Sequence, residues 1–282
     1  MYRAIRTCRI IIALTAMTVP TWALIAGYES VFVRMQILAA LLSGAAVCLV
    51  FWALVTLVYG RIYCSTVCPL GTAMDCASAL SRTIRRKKRD YRYRPPLTKT
   101  RIFFVGVAFA LLLTGSAAMP ALLDPYSAYA RVIQQFVGVP LGDSALFSLS
   151  ATGIAAATVL IVAAASWKHG RIICNSICPV GTLLGGAARH AVLRIDINTE
   201  LCINCGECQR VCKSECISLT DHTVDTSRCV VCFDCTSACQ NSAINYKSGR
   251  YRLGMPMMQS LETPSTASLD APVNHSQSTS EK

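Results

Sequence analysis

Acidic residues are scarce: 15 Asp and Glu stand against 27 Lys and Arg in 282 residues, and charged residues together make up only 15%. So little charge beside a hydrophobic content of 53% excludes an ordinary water-soluble globule. Histidine is limited to His169, His190, His222 and His275, with none deep in an apolar run and no facing pair, so a membrane haem has no axial ligands. Neither a glycine-rich phosphate loop nor a dinucleotide fingerprint occurs, which leaves nucleotide-driven chemistry without support. What the chain does have is long apolar runs and 16 cysteines, most of them in tightly spaced groups.

Four stretches, 10–28, 35–59, 102–123 and 145–167, are long and apolar enough for the roughly 20 residues that a membrane-crossing helix needs. The first contains Pro20, and a cleaved signal peptide is its alternative reading; the length of the run and the lack of a small-residue cleavage site favour a span. Arg3, Arg6 and Arg9 precede the first span, and residues 82–101 carry ten basic side chains, whereas the opposite loops carry only Arg34 and Arg131. By the positive-inside rule the N-terminus, the loop between spans two and three and everything after span four are expected in the cytoplasm. The juxtamembrane position accounts for the basic run, which also suits anionic lipid headgroups, and no nucleic-acid partner is expected.

Beyond span four the composition turns polar, and C-x2-C-x2-C-x3-C occurs twice: Cys202, Cys205, Cys208, Cys212, then Cys229, Cys232, Cys235, Cys239. Three closely spaced thiolates wrap three corners of an iron–sulfur cubane, while the fourth is carried to the other cluster. The expected ligand sets of two 4Fe-4S clusters are therefore crossed: Cys202, Cys205, Cys208 and Cys239 for one, Cys229, Cys232, Cys235 and Cys212 for the other. Residues 192–247 resemble the bacterial two-cluster ferredoxins, including strand-like runs at Val192 to Ile197 and Ala243 to Tyr246. Where that family has proline after the fourth cysteine, Lys213 and Gln240 stand here, and Cys216 reads as a spare packed thiol. Zinc is the alternative for four thiolates, but zinc sites come as two separated C-x2-C pairs, and a cytoplasmic location disfavours disulfides.

A second repetition lies in the apolar half. Residues 60–72 read GRIYCSTVCPLGT and residues 170–182 read GRIICNSICPVGT, each after a hairpin of two spans. A parallel repeat about an axis along the membrane normal would gather Cys64, Cys68, Cys174 and Cys178. Pro69 and Pro179 suit the first turn of a helix, so Cys68 and Cys178 belong at helix N-termini, where the dipole, with Arg61 and Arg171, favours thiolate. Three uses stay open: a third metal or iron–sulfur site shared by the repeats, redox-active thiol pairs, and a structural role. Cys8, Cys48 and Cys76 are isolated and read as spare thiols.

The combination of four spans, two C-x3-C-P motifs and a C-terminal two-cluster module resembles the ferredoxin-type polytopic membrane proteins that include NapH and MauN, over most of residues 1–247. The resemblance implies an α-helical membrane protein of four transmembrane helices in two parallel repeats, with a small α+β ferredoxin-like domain, in a bacterial inner membrane with both termini cytoplasmic. The corresponding boundaries are 1–101 and 102–190 for the two hairpins with their motifs, 191–247 for the ferredoxin-like domain and 248–282 for a tail too poor in large apolar groups to fold alone. It implies electron transfer from quinol to a redox partner protein, periplasmic in this family, in respiration or methylamine utilisation. An accessory role in maturing a periplasmic redox enzyme such as methylamine dehydrogenase is the alternative, and a redox sensor a third. The stretch from Asp124 to Arg131 looks like a family feature, and Tyr126 and Arg131 are its candidate quinol contacts, with the neighbourhood of the cysteine repeats as the alternative place and an interfacial aromatic belt as the simpler account of the tyrosines.

Overall fold

The computed structural model describes residues 2–26, 46–85, 91–113, 125–137 and 149–248. The chain is mostly helical up to residue 188 and ends its described part in a small α+β ferredoxin-like module; residues up to Ser248 cluster as one unit. Helix α1 (Tyr2–Ala26) takes in the arginines that precede the expected first span and continues through Pro20. It is the one helix among the described residues that is both long and apolar enough to cross a membrane. The end of the first expected span, 27–28, and parts of the other three, 35–45, 114–123 and 145–148, lie outside the described residues.

Each C-x3-C-P motif folds in the same way. Helix α2 (Ala46–Tyr59) ends at Gly60, followed by a short turn of helix, α3 (Tyr63–Thr66), and a new helix that starts at the proline, α4 (Pro69–Arg85). Helix α5 (Thr98–Leu113) and helix α6 (Pro125–Val137) lead to α7 (Leu149–His169), after which Gly170, α8 (Ile172–Ser176) and α9 (Pro179–Ala188) repeat the pattern. Packing repeats as well: α4 lies against α1 and α7, and α9 lies against α5 and α2, while α1 touches α3 as α5 touches α8. Gly60 and Gly170 both have positive φ, +78° and +60°, the left-handed conformation that ends a helix without a Cβ penalty. A Cβ on Gly60 would meet the Val231 side chain, and one on Gly170 would meet the Lys213 backbone, so both helix ends abut the cysteine module.

Large apolar side chains point outward from these helices. Val47 is 85% exposed, Phe103 65% and Leu160 69%, while the buried positions hold Arg61, Arg171, Thr56 and Ser166. A surface of this kind is costly in water and favourable against lipid.

In the module, β1 (Leu193–Ile197) pairs antiparallel with β4 (Ile244–Ser248), and β2 (Ile217–Ser218) pairs with β3 (Thr223–Val224). Two short helices, α10 (Glu207–Val211) and α11 (Asp234–Ala238), connect the third and fourth cysteines of each motif. Ile195, Ile197, Ile217, Phe233 and Ile244 form its core together with Cys208, Cys212, Cys216 and Cys235. The N-terminal segment and the segment at residues 91–94 both contact the module: Arg6 pairs with Asp234, and Tyr91 and Arg94 donate backbone hydrogen bonds to the carbonyls of Arg210 and Glu215.

Candidate iron–sulfur centres and thiol pocket

The cysteine loops wind through backbone conformations that side chains rarely adopt. Asn204 and Gly206 flank Cys205 with φ of 53° and 80°, and Val231 and Phe233 flank Cys232 with 51° and 60°. A β-branched residue such as Val231 at positive φ is strained, and strain of this kind persists where the surroundings over-determine it. Three residues after each fourth cysteine the turn repeats, at Glu215 (φ 51°) and Ser242 (φ 53°). Sequence spacing predicts which cysteines recur, but the reversal of chain direction that aims their sulfurs inward is visible only in the backbone.

Cys202, Cys205, Cys208 and Cys239 line one cavity, with Ile197, Leu219 and Ile244 among its apolar walls. Around Cys235 the neighbouring thiols are Cys232, Cys212 and Cys229, with Cys208 of the first group as the weakest neighbour. Each group thus joins three cysteines of one motif to the fourth of the other. Burial pushes the Cys208 thiol up to about 11 and the Cys232 thiol up to about 12, so without a metal these groups are neutral, and metal binding must displace protons. Four soft sulfur donors around an apolar cavity suit an iron–sulfur cubane. Among the described residues no three His, Cys, Asp or Glu side chains converge as a single metal ion requires. Cys216 is buried with its Sγ 3.5 Å from that of Cys212, and a thiol donor there holds Cys212 below the usual thiol range.

Cys64, Cys68, Cys174 and Cys178 are buried together where the two repeated motifs meet. The two arginines cross over: Arg61 donates to the Cys174 carbonyl (3.3 Å) and Arg171 to that of Cys64 (2.5 Å). Gly71 and Gly181 make room for this exchange, since a Cβ on either would strike the first cysteine's carbonyl in its own motif and approach the other motif's arginine. Cys178 caps α9, its Sγ accepting from the Gly181 amide at 3.3 Å. That contact fits a thiolate at a helix start; at Cys68, where the Gly71 amide makes the corresponding contact, burial outweighs it and pushes the thiol well up, and burial pushes Cys174 to about 11. Met74 brings its thioether to 3.5 Å from Cys174.

The arginines differ in their partners. Arg171 makes a two-pronged pair with Asp75 (2.9 and 2.8 Å), whereas Arg61 bonds to Asn175 Oδ1 and the Ser227 carbonyl, both at 2.9 Å, and approaches Cys64 Sγ at 3.7 Å. Among the described residues no carboxylate pairs with Arg61. A buried cation beside Cys64, Cys174 and Cys178 and lacking an acid suits an anionic, thiolate-bound occupant.

Between this pocket and the second cysteine group lies a buried ionic network that sequence reasoning did not find. Lys213, in the place of the ferredoxin proline, reaches Asp234 (3.0 Å) and Asp75 (3.5 Å), and Arg9 reaches Asp75 at 3.6 Å. Burial alone would push the Asp75 carboxyl up, but Arg171, Lys213 and Arg9 hold it well below the usual carboxylate range. The replacement of proline by lysine was the available signal; its partners are too distant in sequence to be named from it.

The expected quinol contacts sit apart from these groups. Tyr126 is buried on α6, Arg131 is half-buried further along it, and Tyr129 ties α6 to α1 through Thr21 at 2.7 Å. Neither Tyr126 nor Arg131 lines the cavity beside the first cysteine group.

A family model described as a 4Fe-4S binding domain matches twice, at residues 42–88 and 151–198, and a second model of the same description matches residues 195–218. Among curated proteins, the chain is 31% identical over 186 residues to "Methylamine utilization ferredoxin-type protein MauN" of Paracoccus denitrificans, covering 65% of this chain and 58% of the relative. It is 28% identical over 179 residues to "Ferredoxin-type protein NapH" of Haemophilus influenzae (62% and 54%), and 27% identical over 178 residues to "Putative electron transport protein YccM" of Escherichia coli (61% and 46%). The chain thus spans about half the length of the relatives it matches. No solved structure matches.

Proposed function

We propose that this chain, a homologue of the ferredoxin-type proteins named NapH and MauN, is a membrane-bound electron-transfer protein that takes electrons from a quinol and delivers them singly to a partner redox protein. The observation that carries the reading is the grouping of eight cysteines into two sets, each joining one motif's first three cysteines to the other's fourth. Cys202, Cys205, Cys208 and Cys239 would hold one 4Fe-4S cluster, and Cys212, Cys229, Cys232 and Cys235 the other. When bound, such a cluster supplies acceptance and release of one electron. The chain's own residues supply thiolates, an apolar enclosure that keeps water out, and fixed charges, chiefly Lys213 beside the second set, that favour the anionic form.

Cys64, Cys68, Cys174 and Cys178 form, in this reading, a third metal or iron–sulfur site shared by two parallel repeats, with Arg61 balancing its charge. The double match of a 4Fe-4S binding model to the segments bearing these motifs supports it. Four spans, with both termini and the cysteine module on the cytoplasmic side, fit the outward apolar side chains and the convergence of the basic segment on the module.

The test is optical. The full chain in lipid bilayer discs, held without oxygen, should lose its iron–sulfur absorbance on addition of a hydroquinone of sufficiently low potential and regain it with a one-electron acceptor. Bleaching by dithionite but not by hydroquinone would discard the quinol donor and favour the alternative, a reductant for maturing a partner enzyme such as methylamine dehydrogenase.

A further inference from the structure

A cavity of about 230 Å³ lies where the segment after the basic run, the end of α7 with α8, and the module meet. Ser214 and Arg228 line it. Both side chains are more than nine-tenths buried, yet Ser214 Oγ and Arg228 Nη2 have no hydrogen-bond partner. The rest of the Arg228 guanidinium is committed, with Nε on Asp225 (2.6 Å) and Nη1 on the Arg94 carbonyl (2.6 Å). Two orphaned polar atoms in one cavity cost more than a surface site would, and a ligand that meets both removes that cost.

The remaining walls define the ligand. Glu215 lines the same cavity, held by Arg94 at 3.3 Å and by His169 at 3.6 Å. An oxyanion drawn to Arg228 would lie beside that carboxylate, whereas a neutral diol offers one oxygen to Arg228 and Ser214 and a hydroxyl to Glu215. Pro95, Leu97 and Ile172 add an apolar side suited to a ring. The cavity lies at the cytoplasmic ends of α5 and α7, within reach of a lipid-borne molecule in the proposed orientation. Ser214 is two residues from Cys212, and Arg228 adjoins Cys229.

We infer that this cavity, not the Tyr126 and Arg131 region of α6, binds the hydroquinone head group, with Arg228 and Ser214 on one ring oxygen and Glu215 on the other. The inference rests on the quinol reading above and names its site. A photoreactive azidoquinone, competed by unlabelled quinone, tests it on the full chain in bilayer discs. Label is expected in peptides containing residues 94–97 or 169–176. Leu97→Trp, which fills the cavity from its exposed side, and Arg228→Lys, which removes Nη2, should each lower labelling about tenfold, the loss of one charged hydrogen bond or its equivalent. Both variants should keep the wild-type absorbance on reduction with dithionite. Label confined to residues 125–137, or undiminished in both variants, would overturn the site. Failure of hydroquinone to bleach the wild-type protein while labelling persists in the cavity would remove the donor reading alone, so the two ideas fail separately.

Discussion

Asp75 is the residue on which the two halves of the chain are most heavily pinned. One carboxylate receives Arg171 from the second motif, Lys213 from the cysteine module and Arg9 from the first helix. Its counterpart in the second motif is Gly185, against which the Ser227 carbonyl and Arg101 pack, so the repeated segments carry their charge asymmetrically. Removing one partner of a buried ionic cluster leaves the others uncompensated and costs about 3–5 kcal/mol. Asp75→Asn is therefore expected to lower the thermal midpoint of the detergent-solubilised protein at neutral pH, and an unchanged midpoint would refute this role. The fold holds the Asp75 carboxyl low, so its contribution is complete above the ordinary carboxylate range and is lost only as pH falls below about 4. At this scale the sequence was a partial guide. Arg6 and Arg9 read as topological charges, yet they also pair with Asp234 and Asp75, across separations that periodicity cannot bridge.

At the level of elements, the spacing of the eight module cysteines is what led to the proposal of two clusters with crossed ligands, and in each motif a short helix that contains the third cysteine leads to the fourth. The crossing has a sharp consequence. Cys239→Ala should abolish the same reduced-cluster resonance as Cys202→Ala, and Cys212→Ala the same one as Cys229→Ala, when each variant is reduced with dithionite and examined by low-temperature electron paramagnetic resonance. Pairing of Cys212 with Cys202 instead would mean uncrossed ligation. The repeated glycines were legible as a motif but not in their purpose: Gly60 and Gly170 accommodate the module, and Gly71 and Gly181 admit the exchanged arginines. The helix-start argument for thiolates at Cys68 and Cys178 was sound locally and incomplete globally, since burial, which a local motif does not report, acts more strongly on Cys68.

For the molecule as a whole, apolar composition led to the membrane and cysteine spacing to iron–sulfur chemistry, while the cavity beside Ser214 and Arg228 was illegible because four separate segments build it. Arg6 and the segment at Tyr91 and Arg94 all contact the module, which in the proposed topology would put these parts together on the cytoplasmic side. Both clusters, the thiol pocket and the quinol cavity would then lie near one membrane face. The central claim is that the eight module cysteines hold two 4Fe-4S clusters. The most direct test is to purify the full chain without oxygen, count iron and acid-labile sulfide, and record its electron paramagnetic resonance after reduction with dithionite. The account predicts iron and sulfide sufficient for at least two cubanes, the third site adding to this where it holds a cluster, with magnetically interacting reduced-cluster signals; zinc in place of iron, with no such signals, would contradict it.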